Sequence, residues 1–90
     1  MVFEWDPAKA AVNRLKHGVA FEEAISVFRD PKAVVRYDSK HSDGEERYIA
    51  IGISERGRLL AVVYTERDGK IRIINARRVT ASEVKAYAQR

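Results

Sequence analysis

A 90-residue chain that is 46% apolar and 33% charged fits one small folded domain over residues 1–90 and excludes a disordered chain. It buries only about 60–65% of its unfolded surface, so one thin core is expected. The absence of cysteine excludes disulfides and thiolate metal sites. No apolar run approaches the roughly 18 residues of a membrane span and the first residues lack a signal-peptide layout, so a cytoplasmic protein is expected. A net charge of +4 and a pI near 9.6 favour an acidic partner: nucleic acid, an acidic protein or a membrane surface.

The chain opens with Phe3-Glu4-Trp5, whose alternation suits a short edge strand. Asp6-Pro7 then reads as a helix start, with Asp capping free N–H groups and Pro in the first turn. Ala8, Ala11, Val12 and Leu15 recur at helical spacing, and Gly18 is a C-terminal stop. The opposite face of this helix holds Lys9, Asn13 and Lys16, with His17 in the last turn. Phe21, Ala24, Ile25 and Phe28 mark a second helix that ends at Asp30-Pro31.

From Ala33 the period changes to that of strands. Val34 to Tyr37 is β-rich, Ser39 to Glu45 is a polar loop, and Arg47 to Ile53 alternates with Arg47, Ile49, Ile51 and Ile53 on one face. Leu59 to Thr65 and Lys70 to Val79 form a hairpin about Asp68-Gly69. Thr80-Ala81-Ser82-Glu83 has the capping-box pattern and opens a short helix to about Tyr87. The expected fold is α+β: two N-terminal helices, an antiparallel sheet of about four strands and a short C-terminal helix.

Residues 67–90 hold seven Lys and Arg (Arg67, Lys70, Arg72, Arg77, Arg78, Lys85, Arg90) against Asp68 and Glu83, an excess of five that is more than the whole net charge. No metal site is expected, because the only histidines, His17 and His41, have no ligand spacing and Asp43, Glu45 and Glu46 read as solvated loop acids. The serines lack a nucleophile-elbow context and the glycines form no phosphate-cradling loop, so no cofactor is expected.

The basic residues remain. A two-residue turn at Asp68-Gly69 pairs Arg67 with Lys70 and Thr65 with Arg72 on one face. Simple alternation then places Arg78 on that face and Arg77 on the other, near Tyr64 and Glu66, unless a bulge intervenes. Such charges can merely solubilise a sheet face. Concentrated on one hairpin, they also create an anion-attracting field. Cleavage of RNA by its own 2′-hydroxyl needs a base, an acid at the leaving 5′ oxygen and charge stabilisation at phosphorus. Arg suits the last role through its fixed fork of donors, and Lys16, His17 or Tyr64 are candidates to move protons. Trp5 reads as core.

The segments Phe3-Glu4-Trp5-Asp6, Lys16-His17-Gly18-Val19, Phe21-Glu22-Glu23-Ala24 and Asp30-Pro31 resemble, in order, the N-terminal half of BrnT toxins. Glu45-Glu46-Arg47-Tyr48, Gly57-Arg58-Leu59-Leu60, Tyr64-Thr65-Glu66-Arg67 and Ile71-Arg72-Ile73-Ile74-Asn75-Ala76-Arg77 are similar to the C-terminal half. The resemblance runs from about residue 3 to 87. It implies a RelE-like fold and a metal-independent endoribonuclease that arrests translation. It also implies a BrnA-type antitoxin as partner, with operator DNA bound only through that antitoxin and a toxin–antitoxin heterotetramer. By this resemblance Lys16, His17, Arg47, Arg67, Arg72 and Arg77 are the expected catalytic residues, with Lys9, Tyr64, Lys70 and Arg78 as RNA contacts. Asn75 departs from the Ser common at its position, and residues 79–85 are less basic than the usual tail. A non-catalytic basic module for nucleic acid or a protein partner is the alternative.

Overall fold

The computed structural model describes residues 1–89. Strand β1 (Phe3–Glu4) leads into helix α1 (Pro7–His17) and the single turn α2 (Phe21–Ala24), which tightens into a 3-10 helix over Ile25–Arg29. Four strands follow, β2 (Val34–Tyr37), β3 (Tyr48–Ile53), β4 (Leu59–Arg67) and β5 (Lys70–Arg78), and helix α3 (Ala81–Ala88) closes the chain. The sheet order is β1-β5-β4-β3-β2.

This corrects the expected sheet of about four antiparallel strands: there are five, and β1 runs parallel to β5, with Phe3 opposite Ile71 and Glu4 opposite Arg72. Parallel pairing joins segments almost seventy residues apart in the chain, which local periodicity does not encode. The local signals hold where capping chemistry sets them. Asp6 accepts from the N–H groups of Ala8 and Lys9, and Gly18 ends α1 in the left-handed region at φ 70°. Thr80 and Glu83 form a reciprocal capping box at α3. Asp68 and Gly69, both with positive φ, make the tight β4–β5 turn.

The facing of α1 differs from the expectation. Val12 and Leu15 are 62% and 90% exposed, while Asn13, placed by pattern among the outward polar residues, is buried. Its side chain does the work of a neighbouring strand. Asn13 Oδ1 accepts from the Ala76 N–H at 3.1 Å, and Nδ2 donates to the carbonyls of Ala76 and Val19 at 2.8 and 3.0 Å. Strand β1 pairs with β5 only at Ile71 and Arg72, so the β5 edge beyond it would otherwise carry unpaired backbone groups. Satisfying them outweighs the burial of two apolar side chains.

Beneath the helices, Val19, Phe21, Ala24 and Val27 pack on Ala50, Leu60, Val62, Tyr64, Ile73 and Ala76, all on one face of the sheet. Trp5 packs edge-on against Phe21, with ring centroids 5.9 Å apart. Close packing extends to Gly52, where an added Cβ would lie 3.0 Å from Val27 and 3.1 Å from Ala33. An ion pair on this side joins buried Glu23 to Arg58, with Ser54 Oγ donating to the same carboxylate at 2.7 Å. The Arg58 hydrogen bonds hold Glu23 below the usual carboxylate range despite its burial.

A candidate RNA-binding face on the open side of the sheet

The other face of the sheet is built by alternation and one bulge. Residues directly opposite across an antiparallel pair point to the same side. Arg67 with Lys70, Thr65 with Arg72 and Val63 with Asn75 therefore share the face away from α1 and α2. Val63 pairs with Asn75 while Tyr64 pairs with Ile73, so Ile74 is the extra residue of a β-bulge. The bulge reverses parity along the rest of β5. Arg77, opposite Ala61, joins the face of Arg67 and Arg72, and Arg78, opposite Leu60, turns to the helix side. The facing expected of Arg77 and Arg78 from simple alternation is thus exchanged. Arg47, one residue before β3, is in phase with Ile49 and Ile51 and reaches the same open face.

Two structures frame this face. Residues of α3 lie over its lower end, where Ile51 and Ala61 are fully buried. The loop between β2 and β3 folds over the upper end, where the Glu46 carbonyl accepts from Thr65 Oγ1 at 2.7 Å. Between them a cleft of about 390 Å³ is lined by Asp38, His41, Arg47, Ile49, Asn75 and Arg77, among others. A smaller hollow of about 70 Å³ joins Lys9, Glu45, Arg47, Arg67 and Arg72. Arg47 belongs to both. Its Nε is the buried side-chain donor that lacks an acceptor among the described residues.

Four arginines of this face meet an acid. Arg67 donates to Glu45 at 2.8 Å, Arg47 lies 3.7 Å from the same carboxylate, and Arg72 lies 3.4 Å from Glu4. The Arg67 bond lowers the Glu45 pKa and raises that of Arg67. These pairs are partly exposed and weakened by solvent screening, so a phosphate can displace the carboxylates. Arg77 is held differently. Its two terminal nitrogens donate to the two oxygens of buried Glu83 at 2.7 and 2.9 Å. The Glu83 bond raises the Arg77 pKa, whereas for Glu83 burial pushes upward and is outweighed by Arg77 and the Thr80 N–H. Arg77 thus anchors α3 to the edge of the cleft.

The remaining expected site residues divide. Lys9, Lys16 and His17 line a separate hollow of about 340 Å³ along α1, which meets the main cleft at Ile74 and Asn75. Lys70 is exposed at the hairpin end. Tyr64, expected as an RNA contact and proton carrier, faces the core: it is 7% exposed and packs edge-on against Phe28 at 5.0 Å. Burial raises its pKa, with smaller contributions from Glu66 and Tyr48. Tyr64 therefore takes no further part in the site. Sequence reading missed Asp38, His41 and Asn75. His41 and Asp38 lie three residues apart in a polar loop, and only their placement over the arginines distinguishes them from solvated side chains.

Among the described residues, no three His, Asp or Glu side chains are grouped to hold a metal ion, and no helix is long and apolar enough to cross a membrane. A family model described as "Ribonuclease toxin, BrnT, of type II toxin-antitoxin system" matches residues 5–83. Comparison with curated proteins finds no match. Among solved structures, the 1.1 Å crystal structure of the Brucella abortus ribonuclease toxin BrnT is similar, with a TM-score of 0.68 and 23% identity over 89% of this chain and 99% of that one. At that identity the likeness speaks to the fold.

Proposed function

Because the chain belongs to the BrnT family of ribonuclease toxins of type II toxin–antitoxin systems, we propose that its open arginine face binds RNA and promotes cleavage of the chain. The observation that carries this reading is the shared face, on which Arg47, Arg67 and Arg72 line one hollow while the bulge at Ile74 turns Arg77 to the edge of the adjoining cleft. Forked guanidinium donors gathered in a cleft match the charge that develops on phosphate oxygens as the 2′-hydroxyl attacks. Arg47 carries a spare buried donor, and Arg67 and Arg72 exchange weak carboxylate partners for phosphate. Lys9, Lys16, His17 and Lys70 extend the positive surface along the RNA backbone.

In this reading the positive charge at phosphorus comes from side chains, so cleavage persists in excess chelator. The partner is a BrnA-type antitoxin whose acidic side chains cover the arginine face. Two toxins and two antitoxins assemble, and operator DNA is bound through the antitoxin. A RelE-like fold and a cytoplasmic setting belong to the same reading.

Induced expression in a bacterial host, followed by RNA gels, tests it with wild type beside Arg47→Ala and Arg72→Ala, each with and without the antitoxin. These two are better probes than Arg77→Ala, which strands a buried Glu83 carboxylate. Growth arrest and RNA cleavage are expected from wild type, lost in both variants and suppressed by the antitoxin. Normal growth with intact RNA, from folded wild-type protein, would favour the non-catalytic module.

A further inference from the structure

We propose that His41, oriented by Asp38, is the base that takes the 2′-hydroxyl proton in RNA cleavage; this rests on the ribonuclease reading above. The loop between β2 and β3 carries the pair. The Asp38 N–H donates to the Arg47 carbonyl at 2.9 Å, continuing the pairing of β2 with β3 beyond Tyr37 and Tyr48. Ser42 Oγ donates to the Asp38 carbonyl at 2.6 Å and accepts from the Arg47 N–H at 3.0 Å. The base of the loop is thus tied to the strand that presents Arg47.

Within it, His41 Nδ1 lies 3.0 and 3.2 Å from the two Asp38 carboxylate oxygens. An ionised carboxylate only accepts, so in the neutral imidazole the shared proton resides on Nδ1 and the Nε2 lone pair is left available. The two side chains differ in exposure in the sense this role requires. Asp38 is 11% exposed and His41 65%, so the orienting group is shielded and the ring is reachable. Asp38 and His41 line the cleft that also holds Arg47, Asn75 and Arg77. Asp38 also reinforces the charge on Arg77, after the larger effect of Glu83.

A base oriented by a carboxylate and placed beside phosphate-binding donors is the combination that transesterification needs. His41 Nε2 takes the 2′-hydroxyl proton as the O2′–P bond forms. The P–O5′ bond breaks, the 5′ oxygen takes a proton from water, and His41 returns its own to solvent. The products are a 2′,3′-cyclic phosphate and a free 5′-hydroxyl, with no net consumption of water. His17 belongs to the other hollow, along α1.

The test is steady-state cleavage of a defined single-stranded RNA oligonucleotide by purified wild type, His41→Ala, Asp38→Asn and Arg47→Ala, with thermal melting as the control for folding. His41→Ala is expected to lower kcat by about 10²–10⁴-fold with KM nearly unchanged. Added imidazole should restore part of the loss in His41→Ala and none in Arg47→Ala. Asp38→Asn should lower kcat less than His41→Ala. Wild-type kcat in a folded His41→Ala variant, or a loss that imidazole does not touch, overturns the assignment while leaving the ribonuclease reading in place. A folded wild-type protein that cleaves no RNA overturns both.

Discussion

On the helix side the sheet presents Ala50, Leu60, Val62, Tyr64, Ile73 and Ala76, and all six are buried. On the opposite side neighbouring strand positions present Arg67, Arg72, Asn75 and Arg77, joined by Arg47. The strands that stabilise the fold with one set of side chains therefore display a cationic surface with the alternate set. In a chain this small, both tasks share one sheet. The bulge at Ile74 is where the division is adjusted: it turns Arg77 to the open face and Arg78 to the helix side, where Arg78 stays exposed. Substitutions on the two faces should consequently be separable, with helix-side changes costing stability and open-face changes costing RNA recognition.

The largest expected effect comes from Phe21→Ala, which empties a fully buried site beside Trp5. A loss of about 3–5 kcal/mol is expected from urea unfolding, enough to unfold much of a marginal 90-residue protein. Next is Asn13→Ala, which strands the Ala76 N–H and carbonyl at the β5 edge. Its expected cost is about 1–3 kcal/mol, with faster amide exchange at Ala76 than at Val62. A Leu15→Ser change on the same helix should alter stability by less than about 0.5 kcal/mol, since Leu15 is 90% exposed.

Acid sharpens the comparison further. Glu23 has its pKa lowered by Arg58, so its contribution to stability is complete above its unfolded pKa and fades as pH falls through the lower folded value. Stability should therefore decline below about pH 4.5, the ordinary value for the group. Glu83 acts in the same direction through Arg77. In Glu23→Gln the decline should be shallower, so wild type and variant converge as unfolding is measured from pH 6 toward pH 3. Equal pH slopes would show that this pair does not drive the acid response.

Much of the fold was legible where a signal is local. Asp6-Pro7 and Gly18 bound α1, Thr80 and Glu83 open α3, and Asp68-Gly69 sets the hairpin, because capping and turn chemistry lie within a few residues. The arginines of the open face were legible as a group by composition. Their geometry was not, because Ile73-Ile74-Asn75 contains no glycine or other mark of a bulge. Nor does a helical wheel reveal that Asn13 must face inward: that follows from the unpaired edge of a strand sixty-three residues away. Tyr64 misled for a related reason, since a tyrosine where a mostly apolar strand gives way to charge reads equally as contact or core. His41 and Asp38 acquire meaning only when the loop folds over Arg47.

The most direct measurement of the central claim is RNA cleavage by purified protein with one arginine removed from each face, Arg72→Ala and Arg78→Ala, over a range of salt. Both positions are on β5, and the bulge between them sends them to opposite sides. Arg72→Ala should lose affinity and reduce the salt dependence by roughly one phosphate contact, while Arg78→Ala should stay within about 0.5 kcal/mol of wild type. Equal losses from the two variants would contradict the assignment of RNA to the open face.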